Sequence, residues 1–237
     1  GDQFSQQGAL ELFKKAESPE AFEKMLNEEG NHVNNLDLNG DGNTDYVRVV
    51  DHPGDGVHAL VLQVLVSEQE SQDIAVIELE KTGDEQATAQ IVGDEDIFGE
   101  QVIIEPEGEG GQEASMLFSS VNSGPAATYG EETNGLVVNV WLWPGVRFLY
   151  GPAYRPWVSP WRWGVYPGWW KPWRPFGWSV YRPWHKGFCS GYVVVHTHRV
   201  IRAHNVYMPF HSTSVIVHTR HAGPVNNYRV TRTTVIH

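Results

Sequence analysis

The acidic residues and the tryptophans of this 237-residue chain occupy different parts of the sequence. All 29 Asp and Glu residues lie before residue 133, where only five Lys and Arg residues accompany them, so this part has a formal charge of −24. Residues 136–237 hold 12 Lys and Arg residues and no acidic residue, which gives +12, and all ten tryptophans lie between Trp141 and Trp184. Such a division predicts two modules that have different partners or that are partners of each other.

The first 106 residues have the pattern of two helices followed by an antiparallel sheet. Residues 8–16 place apolar side chains at helical intervals, and a second helix is predicted from Pro19, with Ser18 as its N-cap and Gly30 as its terminator. Strand-like runs rich in β-branched residues then follow, separated by turn signals, at residues 46–52, 57–66, 73–80, 85–92 and 101–105. We therefore predict an α+β fold class, with an acidic domain over residues 1–106.

The rest of the chain has a different composition. Residues 107–134 have the Gly-rich, acidic composition of a linker, and residues 135–237 form a basic region rich in Trp, Pro and His. Eight prolines within residues 144–183 argue against a long helix or a central strand there, so this part is predicted to be irregular. Residues 193–199 recur in similar form at 215–221, which predicts paired β-hairpin strands. No run of 18 apolar residues occurs in the sequence, so no transmembrane segment is predicted.

One segment has the spacing of a calcium loop. Oxygen-bearing residues occupy alternate positions of the loop, with Gly42 at position 6; they are Asp37, Asn39, Asp41, Asn43 and Asp45. Calcium takes about six to eight oxygen ligands at about 2.3–2.6 Å, and a short loop can supply them only if it turns sharply at glycine. Asp37, Asn39 and Asp41 would contribute side-chain oxygens, Asn43 its backbone carbonyl, and Asp45 would bind directly or through water. The sequence therefore predicts a Ca²⁺ site.

These residues resemble the calcium loops of EF-hands, dockerin repeats and FG-GAP repeats. The FG-GAP version is the most similar, because here the loop also leads into a strand, residues 46–50. The EF-hand pattern has an acidic residue at position 12, where this chain has Arg48, so the resemblance implies a calcium loop and not an EF-hand switch. The alternative interpretation is a plain Asx-rich turn, since Asn-Gly and Asp-Gly form turns without a metal.

The tryptophans between 157 and 184 alternate with prolines, arginines and lysines. Three physical uses fit this composition: contact with an envelope or membrane interface, stacking on sugars or bases, and packing into a core. Residues 159–175 also resemble tracts in uncharacterised secreted bacterial proteins. We therefore expect a secreted, periplasmic or envelope-associated protein, whose partner is an envelope surface or glycan, or whose two halves dock on each other.

Several histidines of the basic region have spacings that suit a metal. His196 and His198 would share one side of a strand, and four more histidines could complete a zinc or copper site: His204, His211, His218 and His221. The alternative is an exposed, weakly basic strand face, which we favour because residues 136–237 contain no carboxylate ligand.

No catalytic motif is present: the sequence contains no G-x-S-x-G, no H-E-x-x-H and no P-loop. Cys189 is interpreted as a buried structural thiol. The sequence therefore predicts a non-enzymatic, calcium-binding structural or binding protein, with a His-metal-dependent hydrolase as one alternative. A nucleic-acid or glycan-binding module that uses the basic region is another, although the overall charge of −12 argues against nucleic acid as a partner.

Overall fold

The computed structural model describes residues 3–108 and 137–223. The predicted α+β class is confirmed, because helices precede a six-stranded antiparallel sheet whose strand order follows the chain. The strands are β1 (Val47–Gly54), β2 (Val57–Leu65), β3 (Ser71–Gly83), β4 (Gln86–Gly93), β5 (Ile103–Pro106) and β6 (Tyr192–Val195). The helices are α1 (Gln6–Lys15), α2 (Pro19–Leu26), α3 (Glu95–Phe98), α4 (Pro144–Leu149), α5 (Trp178–Gly187), α6 (Ile201–Tyr207) and α7 (215–223), with short 3₁₀ helices at Glu29–Asn31 and Met208–Phe210.

Side-chain caps fix the ends of the first helices. The Ser18 hydroxyl accepts a hydrogen bond from the Ala21 amide at 3.1 Å, which satisfies one of the free amides at the start of α2. At the other end, the Asn27 side chain donates to the Val47 carbonyl and accepts from the Val47 amide, at 2.6 and 2.8 Å. The cap of α2 is therefore also the link that places this helix on β1.

One side of the sheet, which we call the helix face, is apolar and is covered by α1 and α2. Its central row crosses four strands and consists of Leu60, Ile77, Ile91 and Ile104, which are paired across the ladder and buried. These residues belong to one core with Phe13 of α1, Phe22 of α2 and Val146 of α4. Burial of large aliphatic and aromatic side chains is the main source of folding free energy, so this face anchors the domain.

The opposite side, which we call the C-terminal face, carries buried polar side chains among its apolar ones. The apolar row Val61, Val76, Val92 and Ile103 continues to Val195 of β6. Beside it lie four buried polar side chains: Gln63, Asp73, Glu78 and Gln90. Residues 197–214, which include α6, pack on this face and supply partners for these polar groups.

The predicted hairpin near the C-terminus is wrong. Residues 192–195 form a strand, but they pair with β5, and residues 215–223 form the helix α7. Ser214 caps this helix, since its hydroxyl accepts from the Val217 amide at 3.3 Å. The β-branched residues at 215–217 therefore follow a helix cap, and a helical turn buries Val217 while leaving Val215 exposed.

The proline-rich segment also contains more helix than we predicted. Helix α5 has ten residues and includes Pro183 in its interior. Its anchor is Tyr181, which is fully buried and donates a hydrogen bond to the Val33 carbonyl at 2.6 Å. The predicted linker lies outside the described residues from 109 to 134. In the described ranges, no helix is long and apolar enough to cross a membrane.

Candidate functional site

The loop 37–45 is wrapped around the carboxylate of Asp37. Its Oδ1 accepts hydrogen bonds from the amides of Gly40 and Asp41, at 2.7 and 3.1 Å, and its Oδ2 accepts from the Gly42 amide at 3.0 Å. Both glycines have positive φ angles, 72° and 84°, which other residues adopt only at a cost. The loop therefore needs glycine at both positions to turn its backbone amides toward one carboxylate.

Asp45 is the buried member of the loop. Its Oδ2 accepts from the Leu38 amide, and its Oδ1 accepts from the Asn39 side-chain nitrogen at 2.9 Å. That nitrogen is also 3.4 Å from Asp41 Oδ2, so the Asn39 amide group lies between two carboxylates. Burial, together with the charges of Asp37 and Asp41, raises the pKa of Asp45 to about 7. The loop thus concentrates negative charge, part of which is shielded from water.

The donor set of this loop fits calcium. Every candidate side chain offers oxygen, the ligand that a hard cation prefers, and the buried Asp45 carboxylate gains most from a nearby positive charge. Asp37, Asn39, Asp41, Asn43 and Asp45 all lie on the same loop, directly before β1. The carboxylates of Asp37, Asp41 and Asp45 do not themselves form a group with oxygens within 4.8 Å of one another, so a bound cation would draw them together.

Arg220 of α7 contacts the same loop. Its Nη1 donates to the Leu38 carbonyl at 3.1 Å, and a Cβ atom built on Gly40 would lie only 1.9 Å from that nitrogen. Glycine is therefore required at position 40 for two reasons: the positive φ angle, and the space that the Arg220 guanidinium occupies. This contact has no local signal in the sequence, because Gly40 and Arg220 are 180 positions apart.

An aromatic cleft adjoins the loop. The cleft has a volume of about 530 Å³, and its lining combines loop oxygens with rings of residues 157–184, which we call the Trp-rich segment. The lining residues are Asn39, Asp41, Asn43, Thr44, Asp45, Trp163, Gly164, Tyr166, Pro167, Trp170 and Pro172. Tyr46, the first residue after the loop, contacts the rings of Tyr166 and Trp170 with centroids 5.8 and 5.2 Å away. The Trp-rich segment thus closes over the loop from one side.

Four of the histidines that we considered as metal ligands pair with carboxylates of the acidic half, whereas His196 is exposed. His198 and His204 contact Glu78, His211 contacts Asp94 at 2.6 Å, and His218 contacts Asp96 at 3.0 Å. The carboxylates that this half of the sequence lacks come from the acidic half. Of the described residues, only Glu78, His198 and His204 bring three His, Cys, Asp or Glu ligand atoms within 4.8 Å of one another.

The sequence did not indicate two buried carboxylates that join the halves of the chain. Glu23 of α2 accepts hydrogen bonds from Tyr46, from the Val49 amide and from two residues of the Trp-rich segment, Trp157 and Ser159. Burial raises the pKa of Glu23 in spite of these donors. Asp73 is bound in a similar way by Gln63, Tyr207 and the Ser212 amide.

Two smaller expectations are wrong. Cys189 is exposed at the end of α5, and is not a buried structural thiol. Docking of the two halves, which the sequence analysis considered, predicts that arginines between 147 and 182 face carboxylates of the acidic half, but in the described part of the chain the ion pairs between the halves come from histidines, Arg199 and Arg202.

Comparisons with protein-family models, with curated proteins and with solved structures found no match to this chain.

Proposed function

We propose that this chain is a calcium-binding, non-enzymatic structural or binding protein of the cell envelope or of the space outside the cell. The observation that carries the proposal is the loop 37–45, in which four side chains offer oxygens around two glycines with positive φ. The Asp45 carboxylate, whose pKa is raised by burial and by the charges of Asp37 and Asp41, is the group that a bound cation would stabilise most.

The location follows from the expected affinity. The loop has Arg48 where the tightest calcium loops have a bidentate carboxylate, and fewer acidic ligands lower the affinity. Extracellular calcium modules work at dissociation constants of about 10⁻⁴–10⁻³ M, whereas cytosolic sensors need much tighter sites. A loop of this composition is therefore best suited to a compartment that contains millimolar calcium.

We also propose that the two halves of the chain act as partners of each other. Trp157 and Ser159 donate to Glu23, β6 pairs with β5, and Tyr181 donates to the Val33 carbonyl. Ring contacts add to these bonds, such as the stacking of His32 on Trp184 with centroids 3.7 Å apart. These contacts support a role of the Trp-rich segment as a cover for the acidic domain.

The calcium proposal is tested by thermal unfolding of the full chain in 10 mM CaCl₂ and in excess chelator. If Kd is about 1 mM, a tenfold excess of calcium raises the free energy of unfolding by about 1.4 kcal/mol. Asp41→Ala removes an exposed loop ligand and should abolish this shift. Asp84→Ala, which changes an exposed aspartate of the β3–β4 turn, is the matched control and should keep it. Equal melting temperatures with and without calcium in the unmutated chain would refute the proposal.

A second candidate function, glycan binding, is favoured by the aromatic cleft. Its ring Trp163 is 39% exposed, and neighbouring Trp169 is 45% exposed, so both present faces on which a sugar can stack. Binding to a panel of envelope oligosaccharides, with calcium and with chelator, tests this function. Trp163→Ala should abolish binding while Trp178→Ala, a tryptophan that is 41% exposed but does not line the cleft, should not.

A further inference from the structure

Glu78 is a fully buried carboxylate at the centre of the sheet. It lies on β3, between β2 and β4, and is paired in register with Ala59 and Gln90. Its side chain points to the C-terminal face, where residues 197–214 cover it. A buried carboxylate is costly unless its charge is balanced by hydrogen bonds, a cation or a metal.

Each oxygen of Glu78 faces a different imidazole. Oε2 contacts Nε2 of His198, and Oε1 lies 2.8 Å from Nδ1 of His204. The two rings also contact each other, with centroids 4.1 Å apart. One ligand atom from each of the three residues lies within 4.8 Å of the other two, so two nitrogens and a carboxylate oxygen converge on one point.

The nearby arginines are directed to other carboxylates. Arg202 pairs with Glu80 at 3.0 Å, and Arg199 pairs with Glu105 at 3.4 Å. In the described part of the chain, the ion pairs of Glu78 are with imidazoles alone. No lysine or arginine of the described residues pairs with Glu78, so a divalent metal ion held by the two imidazoles would balance the charge of this buried carboxylate.

We propose that Glu78, His198 and His204 bind a divalent transition-metal ion, for which Zn²⁺ is the best fit. Two imidazole nitrogens and one carboxylate oxygen are a frequent ligand set for zinc, whereas calcium prefers oxygen ligands only. Zinc–ligand distances of about 2.0–2.2 Å place tetrahedral ligands about 3.3 Å apart, so metal binding would replace the Glu78–imidazole hydrogen bonds and widen the 2.8 Å contact between Oε1 and His204 Nδ1. The site is thus independent of the calcium loop in both position and chemistry.

The two imidazoles leave the proposed site open to solvent on one side. The side chains of His198 and His204 are 19% and 21% exposed, whereas Glu78 is closed in by the sheet. A water molecule or an exogenous ligand completes the tetrahedron from the outer side. Because the two histidines flank the start of α6, the metal also ties this helix to the middle strand, and its binding free energy adds to the stability of the C-terminal face.

Cobalt substitution tests this site with a signal that a structural hydrogen bond cannot give. The purified full chain is freed of metal with a chelator and titrated with Co²⁺, whose visible absorption is strong in tetrahedral sites and weak in the octahedral oxygen sites of calcium loops. We expect one equivalent of tetrahedral Co²⁺, displaced by one equivalent of Zn²⁺. The zinc content of the reconstituted protein is measured by elemental analysis.

Four variants separate the possible origins of the signal. His198→Gln and His204→Gln should each abolish the tetrahedral absorption, whereas His211→Gln, which breaks another histidine–carboxylate pair on the same face, should retain it. Asp41→Ala should also retain it, since it alters only the calcium loop. Circular dichroism establishes that each variant is folded. Absence of tetrahedral cobalt in the unmutated chain, or its persistence in folded His198→Gln and His204→Gln variants, would overturn the proposal.

Discussion

The two faces of the sheet are covered in opposite ways. The helix face is an apolar surface, and its main cover, α1 and α2, comes directly before the sheet in the sequence, although α4 adds Val146 and Leu149 to the same core. The C-terminal face mixes an apolar row with buried polar side chains, among them Asp73, Glu78 and Gln90, and its cover comes from more than 100 residues further along the chain. Burial of apolar surface holds the cover on the helix face, whereas individual hydrogen-bonded pairs hold the cover on the C-terminal face.

This difference shows what each kind of cover can specify. Apolar packing is strong but tolerant, because many arrangements of similar volume bury the same area. Buried polar groups add less net stability, but each one must find its partner, so they penalise any other placement of residues 197–214. The helix face therefore provides most of the stability, and the polar pairs of the C-terminal face fix where residues 197–214 lie.

The largest effect is expected from a truncation on the helix face. Phe22 is fully buried and packs edge to face on Phe13, with ring centroids 5.3 Å apart. Phe22→Ala should reduce the free energy of unfolding by about 3–5 kcal/mol, since the lost transfer free energy and the new cavity add together. Urea denaturation measures this change. A loss below about 1 kcal/mol would mean that the helix face is not the main source of stability.

A smaller but more specific effect is expected on the C-terminal face. Asp73→Ala removes the acceptor of the Tyr207 hydroxyl and the Ser212 amide, both at 2.9 Å, and should cost about 2–3 kcal/mol. In a double-mutant cycle with Tyr207→Phe, we expect a coupling of about 0.5–3 kcal/mol because the two side chains share one bond. The matching cycle with Phe22→Ala should show no coupling. Additive effects of Asp73→Ala and Tyr207→Phe would contradict the idea that this face depends on polar pairs.

The same contrast explains how much of the structure the sequence could predict. Helix α2 and the first five strands have local signals, such as Ser18-Pro19 at the helix start and alternating β-branched residues, and all of these elements are present. The pairing of β5 with β6 and the contacts of Glu78 with His198 and His204 join residues about 90 to 126 positions apart, for which a single sequence has no signal. The calcium loop remains a prediction from spacing.

Helix α7 shows a different limit. Ser214 is a recognisable N-cap, but the similarity of residues 215–221 to 193–199 favoured a strand. Two similar runs thus adopt different structures: residues 193–195 pair with the edge of β5, whereas residues 215–223 form a helix. Local pattern decides secondary structure only where the tertiary surroundings agree with it.

A cap on the helix face provides an intermediate test. Ser18→Ala removes the bond to the Ala21 amide and should lower the free energy of unfolding by about 1 kcal/mol, whereas Ser18→Gly should cost only a few tenths of that. Because the cap lies far from residues 197–214, the effect should add to that of Asp73→Ala without coupling. Chemical denaturation of the single and double variants measures both. Strong coupling between Ser18 and Asp73 would show that the two faces do not act independently.

The smallest effect is a pH dependence confined to the C-terminal face. The hydrogen bond from His211 to Asp94, assisted by the charges of Asp94, Asp73 and Asp96, raises the pKa of His211 above its ordinary value, although partial burial opposes the shift. A raised folded-state pKa means that the native state holds the proton more tightly than the unfolded chain does. The stabilisation is therefore complete below the unfolded pKa of about 6.5 and is lost as pH rises through the folded value. His211 is 29% exposed, so we expect a stabilisation of about 1 kcal/mol or less.

The measurement is the difference in free energy of unfolding between the unmutated chain and His211→Gln at pH 6 and at pH 9, in which the titration of the other groups cancels. The difference should be larger at pH 6, whereas Phe22→Ala should show an equal loss at both pH values. If the difference for His211→Gln is the same at both pH values, the His211–Asp94 pair provides no charge-dependent stabilisation and contributes only packing to the C-terminal face.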